Sequence, residues 1–95
     1  MKIKTSTGFE CSVIESKIKD YRFLRAARAM DSKDPGKNVD GLISMAELLL
    51  TPDGVERLLE HVQDEDGTAS AERVAQEIGE IISALAEKNK TAKNS

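Results

Sequence analysis

The sequence predicts an α+β fold that is mainly α: an N-terminal β-hairpin followed by about four short amphipathic helices. Three observations carry that expectation. Polar and apolar residues alternate on either side of Gly8. From Asp20 onward, apolar residues recur at the helical period. Turn-forming clusters then cut the helical part at Pro35-Gly36, at Thr51-Pro52 and across Asp64-Glu65-Asp66-Gly67. This organisation suits one domain over residues 1–88, with the hairpin in 1–14, the helical part in 15–88 and a flexible basic tail in 89–95.

Residues 2–5 and 9–14 read as the two strands. Lys2-Ile3-Lys4-Thr5 alternates, and Phe9, Cys11 and Val13 share one side of the second strand, with Gly8 supplying the turn. A lone hairpin is rarely stable in water, so this one must pack on the helices or on another copy. The first helix starts near Ser16 or Asp20 and runs to about Met30. Phe23, Ala26, Ala27 and Met30 share one face; Tyr21, Arg25 and Arg28 share the opposite one. Asp31 to Asp40 breaks the pattern. The second helix carries Val39, Leu42, Ile43, Ala46, Leu49 and Leu50 and stops at Thr51-Pro52. Thr51 is placed as the N-cap, and Pro52 as the first residue, of a third helix carrying Val55, Leu58, Leu59 and Val62. The last helix is expected from about Ser70 to Glu87, with Val74, Ile78, Ile81 and Leu85 on one face.

The acidic turn invites a calcium reading, which the spacing does not support. An EF-hand loop needs oxygen ligands at positions 1, 3 and 5, glycine at 6 and a bidentate glutamate at 12. With Gly67 at position 6, Asp64 and Asp66 fall correctly, but Val62 occupies position 1 and Arg73 position 12. The stretch around Gly36 fails likewise, with Lys33 at 3, Pro35 at 5 and Leu42 at 12. A solvated turn is the expectation.

Composition narrows the remaining classes. The chain has 95 residues, three aromatics (Phe9, Tyr21 and Phe23) and no Trp, so its core rests on Leu, Ile, Val, Met and Ala. A domain this small buries a modest fraction of its surface, which favours self-association. Cys11 is the one cysteine, has no disulfide partner within the chain and suits a reducing cytoplasm. No signal segment or membrane span is expected. The net charge of −3 is unevenly spread. Residues 17–37 hold seven basic and three acidic side chains, net +4; residues 38–80 hold two basic and eleven acidic ones, net −9.

Catalytic chemistry is not in view. His61 is the one histidine and lies at the end of a helix, where it serves as a C-terminal charge or surface residue. There is no glycine-rich phosphate loop and no paired cysteines for zinc. Glu56–Glu60 and Glu77–Glu80 pair on helix faces and read as solvated surface. No enzyme activity, cofactor or metal is therefore expected. The candidate partner-binding residues are Tyr21, Arg25 and Arg28 on the first helix, and Met45 and Leu48, which lie off the apolar stripe of the second. Two readings of the off-stripe pair stay open: a central helix covered on several sides, or an exposed apolar patch.

The order of the pieces resembles the small tail assembly chaperones of long-tailed phages and prophages of Gram-positive bacteria. The matching pieces are the hairpin around Gly8-Phe9, then Asp20-Tyr21-Arg22-Phe23-Leu24, Leu48-Leu49-Leu50, Leu58 with Glu60-His61, Asp64-Glu65-Asp66-Gly67, and the lysine-rich end closing in Lys93-Asn94-Ser95. The first helix departs from the family's often acidic pattern by bearing Arg22, Arg25 and Arg28. The resemblance implies a non-catalytic protein of the bacterial host cytoplasm, not expected in the mature virion. Such proteins bind the tape measure protein, keep it soluble and help recruit tail tube subunits. The expected partners are thus the tape measure and tail tube proteins and further copies of this chain, with no membrane. The competing reading is a nucleic-acid-binding phage regulator that uses the basic face of the first helix.

Overall fold

Alternation around a glycine turn produces the first element. In the structure, a computed structural model describing the backbone of residues 1–94 and the side chains of residues 1–88, β1 (Lys2–Lys4) pairs antiparallel with β2 (Glu10–Ser12). Ile3 faces Cys11 across the ladder. Pairing continues past both ends: Thr5 N–H donates to the Phe9 carbonyl at 2.9 Å, and Val13 N–H to the Met1 carbonyl at 2.9 Å. Gly8 closes the turn at φ 92°, a left-handed conformation that glycine adopts without Cβ strain. Ile3, Thr5, Phe9, Cys11 and Val13 are buried, so one face of the hairpin belongs to the core.

A 3-10 turn over Glu15–Lys19 leads into α1 (Tyr21–Met30). Asp20 is the N-cap: its carboxylate accepts from Arg22 N–H at 2.7 Å and from the Arg22 guanidinium at 2.8 and 3.1 Å. The Arg22 side chain and amide hold the Asp20 carboxyl down at about 2. Helix α2 runs from Pro35 to Val62. It begins before the expected Val39, because Pro35 occupies the first helical position, where its missing N–H costs nothing, and Asp34 accepts from Gly36 N–H at 2.9 Å. Helix α3 spans Ala71–Asn94, and Ser70 Oγ accepts from Arg73 N–H at 3.2 Å at its start.

Among the described residues there are therefore three α-helices, not about four. The expected helices after Asp40 and after Pro52 are one helix, interrupted at Thr51 (φ 65°, ψ 164°). Pro52 disfavours right-handed helical angles at its predecessor, which places the interruption at Thr51. A positive φ is strained in a β-branched residue, and this region is almost exclusive to glycine. Thr51 Oγ1 accepts from Gly54 N–H at 3.4 Å, so the expected capping role survives in weak form. Helix α3 also outruns its expected end. Beyond Gly79 the chain holds no glycine or proline, and Ala86, Lys88, Lys90 and Ala92 all favour helix. The backbone placed in a flexible tail is helical through Asn94. The side chains from residue 89 and all of Ser95 lie outside the described residues.

The core gathers both hairpin strands and all three helices. Met45, Leu58, Ile78, Ile81 and Leu85 are its most enclosed side chains. α1 and α2 form an antiparallel pair in close contact. A Cβ on Gly41 would lie 2.7 Å from the Met30 nitrogen and 2.8 Å from the Ala26 carbonyl oxygen. Asn38 seals the end of α1 by donating its amide to the carbonyls of Ala29 (3.1 Å), Met30 (2.9 Å) and Ser32. The acidic turn is made by Asp64, whose Oδ1 accepts from the N–H groups of Asp66 (2.9 Å) and Thr68 (3.1 Å), with Gly67 at φ 79°. Among the described residues no helix is long and apolar enough to cross a membrane.

Two substitutions test this geometry by urea denaturation. Gly41→Ala is expected to cost about 2 kcal/mol, because backbone atoms block the new methyl group and overpacking outweighs the gain in helix propensity. Thr51→Gly is expected to stabilise by about 1 kcal/mol, since strain relief exceeds the entropy that glycine normally costs. An unchanged midpoint for the first, or a lower one for the second, would contradict the described α1–α2 contact or the Thr51 conformation.

Candidate functional site

The side of the α1–α2 pair that faces away from the core is a groove of about 680 Å³. Its floor consists of small or short side chains at Ala26, Ala29, Gly41 and Ser44, together with Leu48. Lys17, Arg22 and Arg25 stand along one wall, and Asp40 and Glu47 along the other. Ile14, Thr51 and Pro52 close the end at the helix interruption. The groove exists because Gly41 lets the two helices touch at backbone level, so no large side chain fills the seam.

The same elements leave several large apolar side chains open. Ile14, Tyr21, Leu24, Val39 and Ile43 are all exposed. Val39 and Ile43 belong to the stripe expected to build the core, yet they are 49 % and 51 % exposed. They stand one turn apart at the edge of the buried face of α2, where neither the hairpin nor α3 covers them. Tyr21, Arg25 and Arg28 share the outer face of α1 as the helical period requires, and the Arg25 guanidinium carbon lies 5.9 Å from the Tyr21 ring centre.

The structure brings Arg25 and Leu48 together in the groove and takes Met45 away. Met45 is 0 % exposed and belongs to the core, so it forms no part of an exposed patch. The cause is its position in the row Gly41, Met45, Leu49. Gly41 meets α1 and Leu49 meets the core, so the methionine between them is covered from both directions. Leu48 is half-buried, packed against the core while lining the groove. For α2, the central-helix reading holds at Met45, and the exposed apolar surface lies at Val39 and Ile43 instead.

A second polar constellation sits on the other side of the molecule. Glu77, taken from the sequence as solvated, is only 2 % exposed. Its Oε1 accepts the Thr5 hydroxyl at 2.7 Å and the Thr7 hydroxyl at 2.9 Å. Since Thr7 spends its proton on Glu77, its oxygen is left to accept from His61 Nε2 at 3.0 Å. Glu80 accepts the Ser6 amide and hydroxyl, both at 2.8 Å, which draws its carboxyl below the usual range. The His61 ring leans on Phe9 with centroids 5.4 Å apart, and Arg57 donates to the Glu10 carbonyl at 2.7 Å. The hairpin tip is thus clamped to α2 and α3 at once. Glu77 could have been found from its helical phase, because it is three residues from Val74 and four from Ile81 on the buried side. Its partners were visible as the three consecutive hydroxyl residues Thr5-Ser6-Thr7.

Among the described residues no group of three histidines, cysteines or carboxylates converges as a metal site. Cys11 is buried beneath the hairpin. Burial pushes its thiol up from the ordinary value, with Arg57 pulling the other way and Glu77 adding to the rise. Comparison with protein-family models, with curated proteins and with solved structures gives no match for this chain.

Proposed function

We propose that this chain is a non-catalytic tail assembly chaperone. In this reading it binds the tape measure protein of a long-tailed phage in the host cytoplasm, keeps it soluble, helps recruit tail tube subunits and is absent from the finished virion. The resemblance in the order of sequence pieces motivates the reading. The structural observation that supports it best is the exposure of Val39 and Ile43 on α2 and of Tyr21 and Leu24 on α1. Large apolar side chains left open on a chain of 95 residues suit contact with an amphipathic client. Contacts of this kind involve no covalent step and are therefore reversible, which a chaperone requires.

The competing reading, a nucleic-acid-binding regulator, draws on the exposed Arg25–Tyr21 pair, a cation beside an aromatic surface. Asp40 and Glu47 on the opposite wall of the same groove weaken it, because they repel a phosphate chain laid there.

Co-expression with the tape measure protein encoded by the same phage is expected to raise the soluble fraction of that protein and to co-purify both. Val39→Asp with Ile43→Asp is expected to abolish co-purification while the chain stays folded with a modestly lower thermal midpoint, since both side chains are about half exposed. No gain in solubility with the wild-type chain, combined with a salt-dependent mobility shift of DNA or RNA lost in Arg25→Glu, would favour the regulator instead.

A further inference from the structure

The two walls of the groove carry opposite and unsatisfied charge. Arg22 is engaged with Asp20. Among the described residues, however, Lys17 and Arg25 on one wall, and Asp40 and Glu47 on the other, have no ion-pair partner. The two rows line one groove, and no ion pair joins them. Two cations on the α1 side therefore await two anions, and two anions on the α2 side await two cations.

A second copy of this chain meets both needs, and it does so in one orientation. α1 and α2 run antiparallel, with Gly41 level with Ala26, Ala29 and Met30. Consider two such pairs placed groove to groove about a two-fold axis parallel to the helices. α1 of each copy then lies against α2 of the other, antiparallel, and each basic row meets an acidic row. A two-fold axis across the helices would instead oppose α1 to α1 and α2 to α2, like charge to like. The charge pattern thus selects the symmetry. We propose that the groove is the seat of an isologous dimer with the first of these two axes, forming a four-helix layer from two α1–α2 pairs. The stems of Lys17, Arg22 and Arg25 from one copy fill the groove of the other, and the exposed Ile14 at its end becomes covered. Leu24, Val39 and Ile43 lie outside the groove lining and remain open in the dimer. The proposal is independent of the chaperone reading.

α1 has ten residues, about 15 Å of helix, so the shared face is at the small end of specific interfaces. Association is accordingly expected to be reversible and to weaken as salt screens the rows.

Sedimentation velocity on the whole chain tests this with two double variants, Lys17→Glu/Arg25→Glu and Asp40→Lys/Glu47→Lys. The wild-type chain is expected to dimerise at low salt, and each variant alone to associate at least about tenfold more weakly. An equal mixture of the two is expected to restore a dimer, because a groove whose four free charges are acidic then meets one whose four are basic, while Arg22 stays paired with Asp20 in both. Circular dichroism melting checks that each variant is folded, and a further pair, Arg25→Gln and Glu47→Gln, serves if either is not. A strictly monomeric wild type would overturn the proposal. So would variants that associate undiminished, or a mixture of folded variants that stays monomeric.

Discussion

Glu77 is the residue on which the arrangement of the chain most depends. Its buried carboxyl group accepts the hydroxyl of Thr5 across 72 positions of sequence and that of Thr7 across 70. A two-stranded hairpin has too little surface to fold alone, so β1 and β2 exist as ordered strands only while something holds them to the helices. Apolar burial of Ile3, Phe9, Cys11 and Val13 supplies attraction without direction. The Glu77 hydrogen bonds supply direction: they fix which end of the hairpin lies over α3 and bring His61 of α2 onto the same hydroxyl. A buried carboxyl group without partners is costly, so the hairpin tip and α3 each complete the other.

The interruption at Thr51 divides the labour of α2. Before it, the helix packs on α1 through Gly41 and on the core through Met45 and Leu49. After it, Arg57 and His61 hold the hairpin from the other side, and Arg73 of α3 reaches back to the Val62 carbonyl at 3.1 Å. A straight helix would carry both tasks along one line. The turn at Thr51 instead wraps the second arm toward the hairpin and α3, leaving the α1–α2 seam open on its far side. The same strained residue borders the groove, so the shape of the candidate surface and the path of α2 have one cause.

Much of the scaffold is legible in the sequence because it depends on short-range rules. Alternation about Gly8 places the hairpin, Asp20 marks the start of α1, and Thr51-Pro52 marks the interruption of α2. Two local signals carry a second meaning. Pro35 reads as a helix breaker but serves as a helix opener with Asp34 before it, and Thr51-Pro52 reads as an end but only bends the chain. Residues whose fate depends on what lies opposite are not legible in this way. Ile43 belongs to the apolar stripe of α2 and Met45 lies off it, yet Met45 is fully covered and Ile43 is half exposed. Glu77 is a surface residue by type and a core residue by phase, and hydroxyls more than 70 positions away decide between them. Among the candidate partner residues, the shared face of Tyr21, Arg25 and Arg28 follows from helical period, whereas the presence of Arg25 and Leu48 in one groove follows from the close α1–α2 approach that Gly41 allows.

If the hairpin is held in register by Glu77, the outer face of α1 and α2 is displayed on a fixed support, on which the proposed client binding and the proposed pairing of copies would both rest. The most direct measurement is the coupling energy between Thr5 and Glu77 in a double-mutant cycle of Thr5→Val and Glu77→Leu, followed by equilibrium unfolding. Each single change is expected to cost about 1–3 kcal/mol by removing the Thr5–Glu77 bond from a buried site, although Thr7 still donates to Glu77 in the Thr5 variant. The double change is expected to cost clearly less than the sum, with a coupling of at least about 1 kcal/mol. Costs that add to within about 0.5 kcal/mol would contradict the contact and with it the role given to Glu77.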